Sequence, residues 1–354
     1  MNQAQLEKFF NYLKKEKWLI FGPTEKPSEH RTDEEEISPF IAAHLDKPRK
    51  NGEVFISRLN KFSDLILDDR LPFYSFKRFF VPAKETLFEY KKERLGEFYP
   101  EHQRRALIGI NILDLKAVNL YDQVFEKDSY YQRRRRDILI IGHSLTPEIN
   151  QNIFSQRYEE DVLEHLPFDI FLAATSSGFK IFTGSIKGQR ILEHFGYRDY
   201  EHIQFSGPVR EGKLDGRMVK LRDKLENHHN QKIWDELGKI CLECGKCTLV
   251  CPTCFCFSLQ DEPGLKENSG SRQRCWDSCY YQEFTEVAGP DKPGVGKPKF
   301  LNNTAQRIHF WYNHKFSRIP REFDMMGCVG CHRCTKVCPV GIDIEKVLKE
   351  IENS

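Results

Sequence analysis

Long hydrophobic runs are absent from this sequence of 354 residues. The longest apolar stretches, at residues 138–141 and 170–174, are much shorter than the roughly 20 residues of a membrane-spanning helix. The first residues also lack the basic segment, apolar core and cleavage site of a secretory signal. We therefore expect no membrane span and a cytoplasmic location.

An excess of charge of one sign is also absent. Lys and Arg together number 54 and Asp and Glu 52, which gives a net charge of +2. A nucleic-acid-binding protein normally carries a basic excess, so we expect no nucleic-acid partner. Neither G-x-G-x-x-G after a predicted strand nor G-x-x-x-x-G-K-[ST] occurs, so we expect this chain to bind no flavin or nucleotide.

Cysteine is absent from the first 240 residues, and all 12 cysteines lie between Cys241 and Cys338. A disulfide scaffold is one explanation for so dense a cluster. Such scaffolds are small secreted domains, whereas this chain shows no export signal. Reduced thiols at this density indicate metal binding.

Predicted strands and helices alternate in the cysteine-free part of the chain. A strand at residues 106–112, a helix at 113–125 and a strand at 137–142 have the lengths of a parallel strand–helix–strand crossover. We therefore assign residues 1–225 to an α/β domain without cysteine.

Two copies of one cysteine motif, C-x-x-C-x-x-C-x-x-x-C-P, dominate the rest of the chain. The first copy is Cys241, Cys244, Cys247, Cys251 and Pro252, and the second is Cys328, Cys331, Cys334, Cys338 and Pro339. This is the bacterial ferredoxin spacing, in which three thiolates on one tight loop hold one 4Fe–4S cluster and the fourth ligates the other cluster. The spacing predicts one cluster on Cys241, Cys244, Cys247 and Cys338. It predicts a second cluster on Cys328, Cys331, Cys334 and Cys251.

Zinc is the alternative for sites with four thiolates, but it does not explain the third and fourth cysteine spacings. We therefore predict that residues 226–354 form a mainly helical, ferredoxin-like domain with two 4Fe–4S clusters, in which residues 260–274 are a loop. Ligation by cysteine alone leaves no iron open to a substrate. The clusters are expected to carry electrons, and no catalytic residue is predicted.

Four cysteines lie outside the two motifs, namely Cys254, Cys256, Cys275 and Cys279. Four thiols are the right number for one further iron–sulfur or zinc centre, although their spacing matches no standard motif. The first alternative is that some of them are buried small hydrophobic residues. The second is a redox-active thiol or an atypical cluster ligand beside the second cluster.

Several segments together resemble a known family. They are Cys-Pro-Thr-Cys-Phe-Cys-Phe at 251–257, Trp-Asp-Ser-Cys at 276–279, His-Lys-Phe at 314–316, Cys-Val-Gly-Cys-His-Arg-Cys at 328–334, and the upstream stretches 76–85, 109–117 and 128–131. The chain resembles the iron–sulfur beta subunit of sulfhydrogenase-type cytosolic NiFe hydrogenases, a 4Fe–4S dicluster family. It is also similar to the A subunit of anaerobic sulfite reductase. Leu113 stands where the family usually has cysteine, which argues against a redox role for the N-terminal half here.

The resemblance implies a non-catalytic, electron-transfer subunit of a heteromeric cytoplasmic oxidoreductase. Its two 4Fe–4S clusters would relay electrons between a flavin- and NAD(P)-binding subunit and a catalytic subunit of the NiFe hydrogenase or sulfite reductase kind. The alternative is an enzyme in its own right, a thiol/disulfide or polysulfide reductase acting at the extra cysteines.

Overall fold

The computed structural model describes residues 1–25, 52–91, 94–98, 103–143, 160–208, 216–227, 232–266, 268–290, 293 and 296–353. The chain divides into two compact units. The first comprises Met1–Gln151, Ser155–Val209 and Asp261–Gln273, and the second comprises Asn152–Phe154, Arg210–Gln260 and Arg274–Ser354. Within the described residues, no helix combines the length and the apolar character needed to cross a bilayer.

The regular structure of the first unit alternates between helices and strands. Its elements are α1 (Gln3–Lys15), β1 (Leu19–Thr24), β2 (Phe55–Arg58), α2 (Lys77–Phe80), β3 (Lys84–Lys91), β4 (Arg94–Glu97), β5 (Arg105–Ile110), α3 (Ile112–Val124), α4 (Ser129–Asp137), β6 (Ile138–His143), β7 (Ile170–Thr175), β8 (Gly178–Thr183), α5 (Ile186–Phe195) and β9 (Glu201–His202), with 3-10 turns at Phe62–Asp64 and Glu160–His165.

Most of these strands form a seven-stranded sheet in the order β2-β1-β5-β6-β7-β8-β9. Strands β1, β5, β6 and β7 run parallel, whereas β2 and β8 pair antiparallel with β1 and β7. Every residue of β6 is buried, as is typical of a parallel strand covered on both faces. The predicted crossover is therefore confirmed, and the N-terminal region is α/β as expected.

Helix α1 packs on one face of this sheet because its apolar residues recur every three or four positions. Leu6, Phe9, Phe10 and Leu13 are all buried in a hydrophobic cluster with side chains of the sheet. The Asn2 side chain accepts a hydrogen bond from the Gln5 amide at 2.9 Å, which caps the first turn.

A buried histidine marks the end of β6. His143 Nδ1 donates to the Leu172 carbonyl oxygen at 2.7 Å. Burial lowers the pKa of His143, and this effect outweighs the opposing carboxylates of Asp68 and Asp69. The imidazole is therefore held neutral within the fold.

A second sheet, with strand order β10-β11-β3-β4, corrects the prediction of a loop over residues 260–274. Strands β10 (Phe257–Pro263) and β11 (Ser269–Trp276) cover that segment except for residues 264–268. Bonds across the sheet hold it there, including a contact of 2.7 Å between Lys84 Nζ and Glu262 Oε1. Glycine, proline and charge indicate a loop locally, but pairing with a distant strand overrides them.

The remaining elements of the second unit are helices joined by cysteine-containing loops. They are α6 (Gly216–Asn227), α7 (Lys232–Ile240), α8 (Lys246–Leu249), α9 (Thr304–Asn313), a π-helical turn (His314–Arg318), α10 (Ile319–Phe323), α11 (Arg333–Val337) and α12 (Ile344–Asn353), with a 3-10 turn at Glu283–Thr285. Leu221 and Leu225 of α6 pack in the same core as Trp234 and Ile351. The predicted boundary at residue 225 falls inside α6, and both this boundary and the ferredoxin-like character of the second domain stay predictions.

Candidate metal centre

Cysteine side chains form part of the hydrophobic core of the second unit. Cys251, Cys254 and Cys279 are buried there among aromatic residues that include Trp311 and Tyr312. Five further cysteines pack against this core and are partly buried, namely Cys241, Cys247, Cys256, Cys328 and Cys334. Thiols in such surroundings are poorly hydrated, so their anions need a nearby positive charge.

The two cysteine motifs fold into the same local shape. In the first, Glu243 and Gly245 have positive φ angles of 53° and 66°. In the second, Gly330 and His332 occupy the equivalent positions, two and four residues after the first cysteine, with φ angles of 72° and 54°. Two left-handed residues in each loop allow the chain to wrap tightly, so that successive cysteines can face one centre.

Backbone amides also point at the sulfur atoms in both loops. The Glu243 amide donates to Cys241 Sγ at 3.4 Å, and the Gly330 amide donates to Cys328 Sγ at the same distance. Amide donors aimed at one centre from a left-handed loop stabilise negative charge. The loops are therefore suited to holding thiolates.

Gly245 has a steric role as well as a conformational one. A Cβ atom at this position would lie 2.7 Å from the Tyr281 ring. The ring thus packs directly on the backbone of the first cysteine loop, where only glycine leaves space.

The first three cysteines of one motif lie beside the fourth cysteine of the other. Cys241, Cys244, Cys247 and Cys338 line a single cavity of about 40 Å³, to which Cys334 of the second motif also contributes. Burial raises the pKa of the Cys247 thiol, and the nearby Cys241, Cys244 and Cys338 thiols raise it further. The structure thus brings together the four residues predicted for the first cluster.

The first three cysteines of the second motif likewise lie near the fourth cysteine of the first motif. Burial raises the pKa of the Cys334 thiol well above its usual value, with further contributions from Cys328, Cys251 and Cys331. Burial likewise raises the pKa of Cys328 to about 12. The Cys247 thiol also acts on Cys334, so the two groups of thiols adjoin each other.

These surroundings fit iron–sulfur clusters. Each group offers four soft sulfur donors in a buried site lined by apolar side chains, which is the donor set that iron–sulfur clusters use. The raised pKa values show that four uncompensated thiolates would be unfavourable, and bound iron would supply the missing positive charge. Within the described residues, no three Cys, His, Asp or Glu side chains are arranged to hold a single metal ion.

A buried ion pair connects the first cysteine loop to helix α9. The Glu243 carboxylate accepts hydrogen bonds from Arg307 and from the Thr304 hydroxyl, both in α9. The Arg307 side chain is only 2% exposed. Gln282 adds a third donor to Glu243 at 3.3 Å. Glu243 thereby anchors the segment between Cys241 and Cys244.

A lysine that the motif spacing does not reveal contacts the second group of thiols. Lys315 Nζ lies 3.2 Å from Cys251 Sγ, 2.9 Å from Thr253 Oγ1 and 3.0 Å from the Gly327 carbonyl oxygen. A hydrogen bond from Cys254 and the charge of Lys315 hold the pKa of Cys251 well below its ordinary value despite burial. The only sequence signal for Lys315 is its place in the His-Lys-Phe segment.

Three of the four extra cysteines lie close together. The Cys254 thiol is hydrogen-bonded to Cys251, and Cys256 is hydrogen-bonded to Cys279, which also lies near Cys254. Cys275 is half-buried near the end of β11. The Asp277 amide donates to the Cys256 carbonyl at 3.0 Å, so the two cysteine-containing segments are neighbours. A third centre on these four residues stays a prediction.

Comparison with known proteins agrees with the site. Residues 240–342 match a family described as a 4Fe-4S dicluster domain. Over 363 aligned positions, the chain is 27% identical to sulfhydrogenase 2 subunit beta of Pyrococcus furiosus, covering 99% of this chain and 97% of that protein. No solved structure matches this chain. The resemblance to the iron–sulfur beta subunits of sulfhydrogenases is therefore confirmed.

Proposed function

We propose that this relative of the sulfhydrogenase beta subunits transfers electrons through two 4Fe–4S clusters within a cytoplasmic oxidoreductase complex. The observation that supports the proposal most strongly is the interleaving of the two motifs. The fourth cysteine of each motif lies beside the first three of the other. This is the arrangement of ferredoxins that carry two clusters.

Each cluster would have its own set of thiolates. Cys241, Cys244, Cys247 and Cys338 hold the first, and Cys328, Cys331, Cys334 and Cys251 hold the second. A bound 4Fe–4S cluster supplies reversible one-electron reduction. The protein's part is to exclude water from the sulfur atoms and to keep the two sites adjacent, which favours electron transfer between them.

Partners follow from the electron-carrying role. A chain whose metal sites are fully ligated by cysteine needs one protein to deliver electrons and another to receive them. By analogy with a relative named as one subunit of a sulfhydrogenase, we assign these roles to a flavin- and NAD(P)-binding subunit and a catalytic subunit of the NiFe hydrogenase kind.

Iron and sulfide counts on variants purified without oxygen test the ligand sets. The wild-type chain is expected to hold about eight irons, since two clusters of four are bound. The double variant Cys241→Ala/Cys338→Ala should keep about four irons, because both cysteines serve the first cluster. The matched control Cys241→Ala/Cys251→Ala damages both clusters and should keep almost none.

If each motif held its own cluster, the iron contents of the two double variants would be exchanged. Two results for the wild-type chain would refute the electron-transfer proposal itself. One is zinc in place of iron, and the other is the absence of a visible absorbance that dithionite bleaches.

A reductase acting on disulfides or polysulfides is the second candidate. It is favoured by the contact between Cys256 and Cys279, which sets a thiol pair close to Cys254 and to Cys247 of the first group of ligands. This candidate predicts turnover of a polysulfide by the purified chain with dithionite as electron donor. Cys256→Ser should abolish that turnover and leave all eight irons in place, whereas a relay subunit would show no turnover to lose.

A further inference from the structure

The fourth cysteines of the two motifs face different chemical groups. Cys338 Sγ accepts a hydrogen bond from the neutral Ile342 amide at 3.2 Å. Cys251 Sγ instead faces the ammonium group of Lys315 at 3.2 Å. The two motifs match in spacing and backbone shape, so this difference in charge distinguishes two otherwise similar sites.

The surrounding acceptors hold the Lys315 side chain in this position. Its side chain is buried, with the residue 3% exposed, and its three N–H donors meet three acceptors: Cys251 Sγ, Thr253 Oγ1 and the Gly327 carbonyl. The Thr253 hydroxyl and the Gly327 carbonyl are neutral, so the Cys251 sulfur is the acceptor that compensates the positive charge of the ammonium group. A buried ammonium without such compensation is strongly unfavourable.

The backbone around Lys315 is unusual as well. Residues His314–Arg318 form a π-helical turn between two α-helices, and the Gly327 amide donates to the Lys315 carbonyl at 3.0 Å. A π-helical turn is rare compared with continuous α-helix and is frequently found at functional sites. Here it lies within the segment that carries the lysine to the sulfur.

We infer that Lys315 raises the reduction potential of the second cluster, so that this cluster accepts an electron more readily than it would without the lysine. The inference depends on the proposed ligation of that cluster by Cys251. Reduction adds one negative charge to a cluster. A cation on one of its thiolates stabilises the reduced state more than the oxidised state, and burial limits the screening of this charge by water. Thus Lys315 acts as a positioning residue for charge and does not itself react.

Redox titration followed by electron paramagnetic resonance tests this assignment in the intact chain. Lys315→Met removes the charge but keeps an unbranched side chain. It should shift the one-electron equilibrium of one cluster at least tenfold toward the oxidised form, which is a fall of about 59 mV in its potential. The potential of the other cluster should not change.

Three further variants separate charge from other effects. Lys315→Arg keeps the cation and should stay near wild type, whereas Lys315→Gln keeps hydrogen-bond donors without charge and should fall like Lys315→Met. Lys336→Met is the matched control, because Lys336 is an exposed lysine of the second motif whose charge is screened by water. Its expected shift is well below tenfold.

The outcomes distinguish this inference from the proposed function. Eight irons and two unchanged potentials in Lys315→Met would overturn the role of Lys315 and leave the relay intact. Loss of four irons in both neutral variants would assign Lys315 to cluster assembly and would also overturn the inference. A wild-type chain without iron–sulfur clusters would instead refute the proposed function.

Discussion

The ion pair between Arg307 and Glu243 gives a quantitative test of how the first cysteine loop is held. Replacing Arg307 with methionine leaves the Glu243 carboxylate without its cationic partner in a site that is only partly hydrated. Breaking a buried ion pair from one side costs about 3–5 kcal/mol. The Glu243 side chain is 24% exposed, so water compensates part of the loss, and we expect a value near the lower limit, about 3 kcal/mol.

A loss of that size changes the unfolding equilibrium by roughly 150-fold. Anaerobic urea unfolding, followed by far-ultraviolet circular dichroism and by visible absorbance, measures it. With a denaturant slope of about 3 kcal/mol per molar urea, the midpoint should fall by about 1 M. The visible absorbance should fall first, because the substituted contact supports the cysteine loop.

Arg321→Met is the matched control within the same unit. Arg321 also pairs with a glutamate, Glu226, but its side chain is 59% exposed. Exposed ion pairs contribute about 0–1 kcal/mol, so its midpoint should move by less than about 0.3 M. Equal losses in the two variants, or an unchanged midpoint for Arg307→Met, would refute the argument that burial makes the Glu243 pair structurally important.

Two further predictions concern single positions in the two units. Gly245→Ala should lose iron from the first cluster, because its Cβ would meet the Tyr281 ring at 2.7 Å. Gly341 also has a positive φ angle but has open space around it, so Gly341→Ala should keep about eight irons. Equal iron counts in the two variants would contradict this prediction. Because His143 is buried in its neutral form, the free energy of unfolding should fall as the pH drops below about 6.5, where the unfolded chain binds a proton that the native chain excludes. The free energy of unfolding should change by at most about 1.4 kcal/mol per pH unit. Thermal unfolding of His143→Phe should lack this component of the pH dependence, and an unchanged slope would show that another group is responsible.

Local sequence was sufficient wherever the relevant contacts lie a few residues apart. The spacing of Cys241, Cys244 and Cys247 predicts thiols on one loop, because a short connection limits how far they can separate. The crossover from β5 through α3 to β6 was predictable for a similar reason, since buried parallel strands need nearly continuous apolar residues and a helix between them. The strands at 257–263 and 269–276 were not predicted, because β10 pairs with β11, and β11 in turn pairs with β3, about 180 residues earlier in the chain.

The same distinction between local and distant contacts applies to the chemistry of the site. The sequence by itself determined which donor atoms are predicted, since eight cysteines in two regular motifs are the soft thiolate ligands typical of the iron in 4Fe–4S clusters. Only the tertiary structure decided which charges stand beside them. Lys315 is 64 positions from Cys251 and Arg307 is 64 positions from Glu243, so neither contact has a local pattern. The electrostatic environment of a buried thiolate depends on which distant side chains the folded core brings within a few ångströms, and residue spacing does not encode that distance.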